Sequence, residues 1–107
     1  MADKIENIPQ MQVEIDRLIH EPARLKILAQ LHVVESVDFI FLMRQTELTQ
    51  GNVSGHLNKL EAAEYVKIEK GFAGKRPRTM ISLTKKGREA LKKYVKNMQQ
   101  VFDGLSD

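Results

Sequence analysis

A chain of 107 residues is long enough for one domain with a modest core, and its lack of cysteine excludes disulfides, thiol redox sensing and cysteine-ligated metal. The longest apolar run, Phe39 to Met43, is too short to span a bilayer and no signal-peptide pattern opens the chain, so a cytoplasmic protein with no membrane partner is expected. The net charge of +3 is unevenly spread, with 5 Lys/Arg against 8 Asp/Glu in residues 1–47 and 12 against 6 in residues 48–107, a basic second half that suits a polyanionic partner.

In chain order, residues 1–7 carry no pattern. From there Ile8, Met11, Ile15, Leu18 and Ile19 step by three or four, which predicts an amphipathic helix up to Ile19 with heptad-like spacing from Met11 to Leu18. His20-Glu21-Pro22 interrupts it, and Pro22 suits the first turn of a new helix. Ile27, Leu28, Leu31 and Val34 give that helix, from Ala23 to about Glu35, a core-facing stripe. Ser36-Val37 reads as a one-pair strand, and Asp38 as the N-cap of a short apolar helix, Phe39 to Thr46.

Glu47 and Leu48 then make a turn, and Thr49 caps a second helix that ends near Ala63. Val53, Leu57 and Leu60 share one face of it. The opposite face carries Gly51, Asn52, Ser54, Gly55, Asn58 and Lys59: small, polar and free of acid. Two helices joined by a tight turn, the second with such a face, match the helix-turn-helix, whose second helix enters the major groove of DNA. Each interior glycine costs about 0.8–1 kcal/mol relative to alanine. A backbone that must approach phosphates or base edges gives that cost a purpose; a helix that only covers a core does not. Asn52, Ser54 and Asn58 are the candidate base readers, and Lys59 can reach a base or a phosphate. Thr49 and Gln50, at the helix start, can reach bases or cap onto a phosphate.

After Ala63 the pattern changes to period two. Val66 and Ile68 alternate with charged residues, Thr79, Ile81 and Leu83 with Met80 and Ser82, which predicts a hairpin around an eight-residue loop, Gly71 to Arg78. Lys75, Arg76 and Arg78 make that loop a cationic arm for phosphates or a minor groove. Thr84 caps a last long helix whose first turn holds Lys85, Lys86 and Arg88. Cations there oppose the helix dipole, so the three are candidate phosphate ligands. Leu91, Val95, Met98, Phe102 and Leu105 follow in an a/d pattern over two heptads, and with Ile8, Met11 and Ile15 form the expected homodimer interface.

The order helix, helix, helix-turn-helix, hairpin, helix resembles winged-helix transcription regulators of the MarR/ArsR type over about Ile19 to Val101. The resemblance rests on His20-Glu21-Pro22-Ala23-Arg24, Asn52-Val53-Ser54-Gly55-His56-Leu57, Leu60-Glu61 with Tyr65-Val66, Arg76-Pro77-Arg78-Thr79, and Leu83-Thr84 with Gly87-Arg88. It implies a mainly α, α+β fold: one winged helix-turn-helix domain over 1–107, with an N-terminal arm (1–19), a core (20–84) and a C-terminal dimerisation helix (85–107). It also implies dimeric, sequence-specific binding of double-stranded DNA, with the second helix of the motif in the major groove and the wing on the backbone or minor groove. Similar proteins place glycine where Glu64 stands, so the turn into the wing is expected to differ.

No chemistry competes with that reading. His20, His32 and His56 are scattered; His32 lies in a helix expected to be mostly buried, His56 borders the buried face of its helix, and both are read as structural rather than as ligands. Neither a metal site nor a cofactor motif is present, and Ser54 and His56 are spaced wrongly for a nucleophile–base pair, so no enzyme is expected. The alternative is a winged helix used as a protein–protein module without sequence-specific DNA binding. A small-molecule effector between the dimer arms stays open, since no residue marks a pocket.

Overall fold

The computed structural model describes residues 13–106. Helix α1 (Pro22–His32) leads through β1 (Val37–Asp38) to α2 (Phe39–Thr46) and α3 (Gln50–Ala62); strands β2 (Val66–Ala73) and β3 (Arg76–Leu83) follow, then α4 (Lys85–Gly104). The three strands form one antiparallel sheet in the order β1-β3-β2.

Local caps set the helix starts. Glu21, Asp38, Thr49 and Thr84 each accept a backbone N–H two or three residues on, the bond that a helix start otherwise lacks. Ile27, Leu28 and Leu31 of α1, Leu42 of α2, and Val53, Leu57 and Leu60 of α3 meet Ile81 of β3 in a dry core. Leu91 and Tyr94 of α4 close it. Helix α1 ends at His32, short of Glu35, and the Arg88 guanidinium donates to the His32 carbonyl at 3.2 Å.

Two expectations fail. The N-terminal helix does not reach Ile19: residues 13–16 have no regular structure and 17–19 form a turn. The Asp16 carboxylate holds that turn, its Oδ1 accepting the N–H groups of Leu18 (2.9 Å) and Ile19 (3.2 Å) while its Oδ2 accepts from the Tyr65 hydroxyl (2.6 Å). Ile8 and Met11 lie outside the described residues. The second failure is the eight-residue loop. The strands run on to Ala73 and Arg76, leaving only Gly74-Lys75 as the connection. Gly74 has φ +65° and Lys75 does not, the sign pattern of a type II′ hairpin turn with glycine in the first central position. The cationic arm is therefore a long, narrow, ordered hairpin. Pro77 is tolerated in it because pairs alternate between hydrogen-bonded and not: Ala73 opposite Arg76 closes the turn, and Pro77, opposite Phe72, falls in the next pair, which asks for no N–H.

Candidate nucleic-acid interface

Helix α3 is held from behind. Val53, Leu57 and Leu60 are buried, and His56 ties its edge to α1. Arg24 donates through Nε to the Leu18 carbonyl (2.5 Å) and through Nη1 to His56 Nδ1 (3.2 Å). Glu21 stands 3.7 Å from the same nitrogen. The Glu21 carboxyl accepts the Arg24 backbone N–H, which holds it below the usual carboxylate range. His56 is thus a structural bridge. His32 is exposed on the outer side of α1, a helix whose Ile27, Leu28 and Leu31 are buried; it borders the side chain of Arg88 (3.3 Å) at the surface.

With that face fixed, the other faces water. Thr49, Gln50, Gly51, Asn52, Gly55, Asn58 and Lys59 are exposed and Ser54 half-buried. Thr49 spends its hydroxyl on the cap, accepting from Asn52 N–H at 3.2 Å. Among the described residues, a Cβ added at Gly51 or Gly55 would meet nothing within 4 Å, so their packing does not ask for glycine there. Between α3 and the hairpin lies a cleft of about 390 Å³, with Gln50, Ser54 and Asn58 on one side and Lys70 and Thr79 on the other. Lys70 was missed by the sequence reading, although strand alternation from Val66 and Ile68 puts it on the face turned to the helix.

The cations sort by what already holds them. Lys75 and Arg76 are exposed at the hairpin tip. Arg78 pairs with Asp38 (3.5 Å), whose other carboxylate oxygen caps α2, so that side chain is braced against the body of the fold. At the start of α4, Lys85 is exposed, Lys86 pairs with Glu64 (3.6 Å), and Arg88 is spent on the C-terminal end of α1. The dipole violation expected at this turn is thus partly compensated within the chain, and Arg88 is the weakest of the three phosphate candidates.

The turn into the wing, expected to differ, keeps the left-handed conformation that favours glycine, with Glu64 at φ +64°. Tyr65 N–H bonds to the Leu60 carbonyl (2.9 Å) and Glu64 N–H to Glu61 (2.8 Å), so the helix still ends in a Schellman turn. Thr84 then locks the exit of the hairpin to this turn, donating its hydroxyl to the Glu64 carbonyl (2.6 Å) and its N–H to Tyr65 (3.0 Å).

The expected dimer stripe divides. Leu91 belongs to this chain's own core at 7% exposure, and Met98 packs against it. Val95 (49%), Phe102 (58%) and Leu105 (76%) stay exposed, as does Ile15 (36%). Val95 rims an apolar groove of about 380 Å³ between α1 and α4, floored by Leu25, Ala29 and Leu91. Among the described residues, no helix is long and apolar enough to cross a membrane, and no three acidic or histidine side chains converge as a metal site.

Comparison with known proteins agrees with this architecture. A family model described as a winged helix DNA-binding domain matches residues 23–102. An uncharacterized protein of Methanocaldococcus jannaschii is 36% identical over 89 residues, covering 83% of this chain and 97% of that one. A transcriptional regulator homologue from Pyrococcus horikoshii superposes with a TM-score of 0.80 at 28% identity, covering 99% of this chain and 97% of that one. A MarR-family regulator from Silicibacter pomeroyi shares the fold at a TM-score of 0.64 and 22% identity, with this chain covering 59% of its length and 83% of its own. A polar, glycine-bearing helix braced from behind and a cationic hairpin beside it, matched over most of the chain by that model, make this protein a member of the winged helix DNA-binding domain family, with the fold of MarR-type transcriptional regulators.

Proposed function

We propose that this chain is a sequence-specific transcriptional regulator that binds duplex DNA as a homodimer, with α3 in the major groove and the hairpin tip on phosphates or in a minor groove. The observation that carries the reading is the open space at Gly51 and Gly55. Gly55, in the interior of α3, costs about 1 kcal/mol of helix stability and Gly51, in its first turn, adds less, and packing among the described residues offers nothing in return. Close approach by a duplex does, since a bare backbone lets Asn52, Asn58 and Lys59 reach base edges on either side. Lys75 and Arg76 supply phosphate contacts, and Lys70 and Ser54 frame a cleft of suitable polarity. Exposed Val95, Phe102 and Leu105 beside the α1–α4 groove support a second copy as the partner of α4. The alternative, a protein-binding module, draws support from Ile40 and Phe41, 52% and 48% exposed on α2; it leaves the two glycines without a purpose.

The test is selection of bound sites from random duplex DNA, followed by Gly55→Leu. The variant should fold, dimerise and melt no lower than the parent, yet fail to bind the selected site. Unchanged affinity would mean that this face lies outside the groove. Asn52→Ala and Asn58→Ala should each relax preference at one or two base pairs, by about 1–3 kcal/mol, and leave non-specific binding nearly intact. Sedimentation that finds a monomer at micromolar concentration would remove the homodimer. A true dimer should select pseudo-palindromes with half-sites about one helical turn apart, or a multiple of it.

A further inference from the structure

We propose that Phe72, backed by Pro77, is an apolar wedge that the hairpin inserts between base pairs of the bound duplex, unstacking one step and bending the DNA. The inference rests on the DNA-binding reading above and adds to it a residue that the charge of the hairpin does not account for.

Phe72 is the one bulky apolar side chain of the tip, Lys70-Gly71-Phe72-Ala73-Gly74-Lys75-Arg76-Pro77-Arg78. It is 74% exposed and serves no part of the core. Gly71, Ala73 and Gly74 around it carry at most a methyl group, so the ring stands clear of its own strand. Pro77 lies directly across the ladder, in the non-hydrogen-bonded pair where opposed side chains stand closest. Ring and pyrrolidine together make a stiff apolar edge on a hairpin that ends in a two-residue turn, slim enough to enter a groove.

Position and charge select the occupant. Pleat alternation puts Phe72 on the face of Ile68 and Lys70, and Lys70 lines the cleft against Gln50, Ser54 and Asn58 of α3. A duplex that lies on α3 therefore meets this side of the hairpin. Lys70 shares the ring's pleat face and Lys75 sits in the turn beside it, while Arg76, Arg78 and Glu69 project from the opposite face, where Glu69 pairs with Lys67 (3.2 Å). An apolar plane flanked by Lys70 and Lys75 complements a stacked base step flanked by phosphates. Apolar wedges in cationic frames open such steps, and pyrimidine–purine steps yield most easily.

The experiment uses the full chain and a duplex selected from random DNA, with 2-aminopurine placed at successive positions and fluorophores at both ends. Binding of the parent protein should raise 2-aminopurine emission at one step per bound hairpin and bring the ends together by a bend of about 20–90°. Phe72→Ala should keep its circular dichroism and the salt slope of binding, because no charge changes. It should lose the emission rise and the bend, and bind about tenfold more weakly. Phe72→Leu should retain part of all three. If the parent binds the selected duplex without unstacking or bending it, or if Phe72→Ala behaves like the parent, the wedge is overturned while DNA binding stands. If the parent binds no duplex at all, both readings fall.

Discussion

Three glycines in helices should respond to alanine with opposite signs. A Cβ built on Gly87 would lie 2.1 Å from the Tyr65 carbonyl oxygen, 2.8 Å from its carbonyl carbon and 2.9 Å from its Cα. All three neighbours are backbone, at the junction that carries the chain from α3 into the hairpin. Relief requires α4 to retreat by roughly 1 Å, an overpacking strain of about 1–3 kcal/mol. That retreat also stretches the bonds from Thr84 N–H to Tyr65 (3.0 Å) and from the Thr84 hydroxyl to Glu64 (2.6 Å), each worth about 1 kcal/mol net. The helix propensity gained returns about 1 kcal/mol. Gly87→Ala should therefore lose about 2–4 kcal/mol, which for a domain of this size lowers Tm by roughly 10–25 °C. Gly51→Ala and Gly55→Ala, with open space around each, should instead gain up to about 1 kcal/mol. The assay is thermal and urea unfolding at one fixed protein concentration, since dimerisation makes Tm depend on it. A Gly87→Ala protein that melts at or above the parent would refute the close-approach argument.

Further outcomes test other parts of the fold. Lys75→Ala with Arg76→Ala should flatten the log–log salt dependence of DNA binding by about 1.8 in slope per protomer, and so by about 3.6 for the homodimer, at about 0.9 per phosphate contact; a titration with an unchanged slope would take the tip off the phosphates. Glu64→Gly should raise stability by about 0.5–1 kcal/mol, because it relieves a left-handed φ of 64° and gives up only an exposed ion pair to Lys86. A lower urea midpoint for that variant would contradict this. The bond from the Tyr65 hydroxyl to the Asp16 carboxylate, with burial, pushes that phenol from its ordinary value of 10 up to about 12. A folded-state value raised in this way stabilises the fold fully below pH 10 and progressively less as pH rises towards 12. Tyr65→Phe should therefore be less stable than the parent at neutral pH, and the gap should narrow in alkali; a constant gap between pH 8 and 12 would sink this account.

Legibility in the sequence followed the range of the interaction. The starts of α2, α3 and α4 were readable because Asp38, Thr49 and Thr84 bond to amides two or three residues away. The two faces of α3 were readable because periodicity is local. Even the left-handed Glu64 was visible as a departure from a pattern. The hairpin failed for another reason. Glycine in the first central position of a two-residue turn was a readable signal, but Gly71, Gly74 and Pro77 together looked like loop composition, and only strand pairing shows that Pro77 sits where no N–H is asked for.

Unaided, then, the amino-acid sequence determined the helices from α1 to α4 and where they begin, and that α3 turns a small, polar, acid-free face outward, since these depend on side-chain periodicity and on bonds within one helical turn. The tertiary structure decided what distant groups do to one another. Asp16, bonded to a tyrosine 49 residues on, holds a turn where the expected N-terminal helix would have reached Ile19. Leu91 leaves the interface stripe because the α1–α4 packing buries it in its own chain. Arg88 and Arg78, equal in sequence to Lys85 and Arg76 as cations, are held by His32 and Asp38, 56 and 40 residues away along the chain. Charge is written in the sequence; whether a charge is free to meet a phosphate depends on which partners the fold brings within about 4 Å of it.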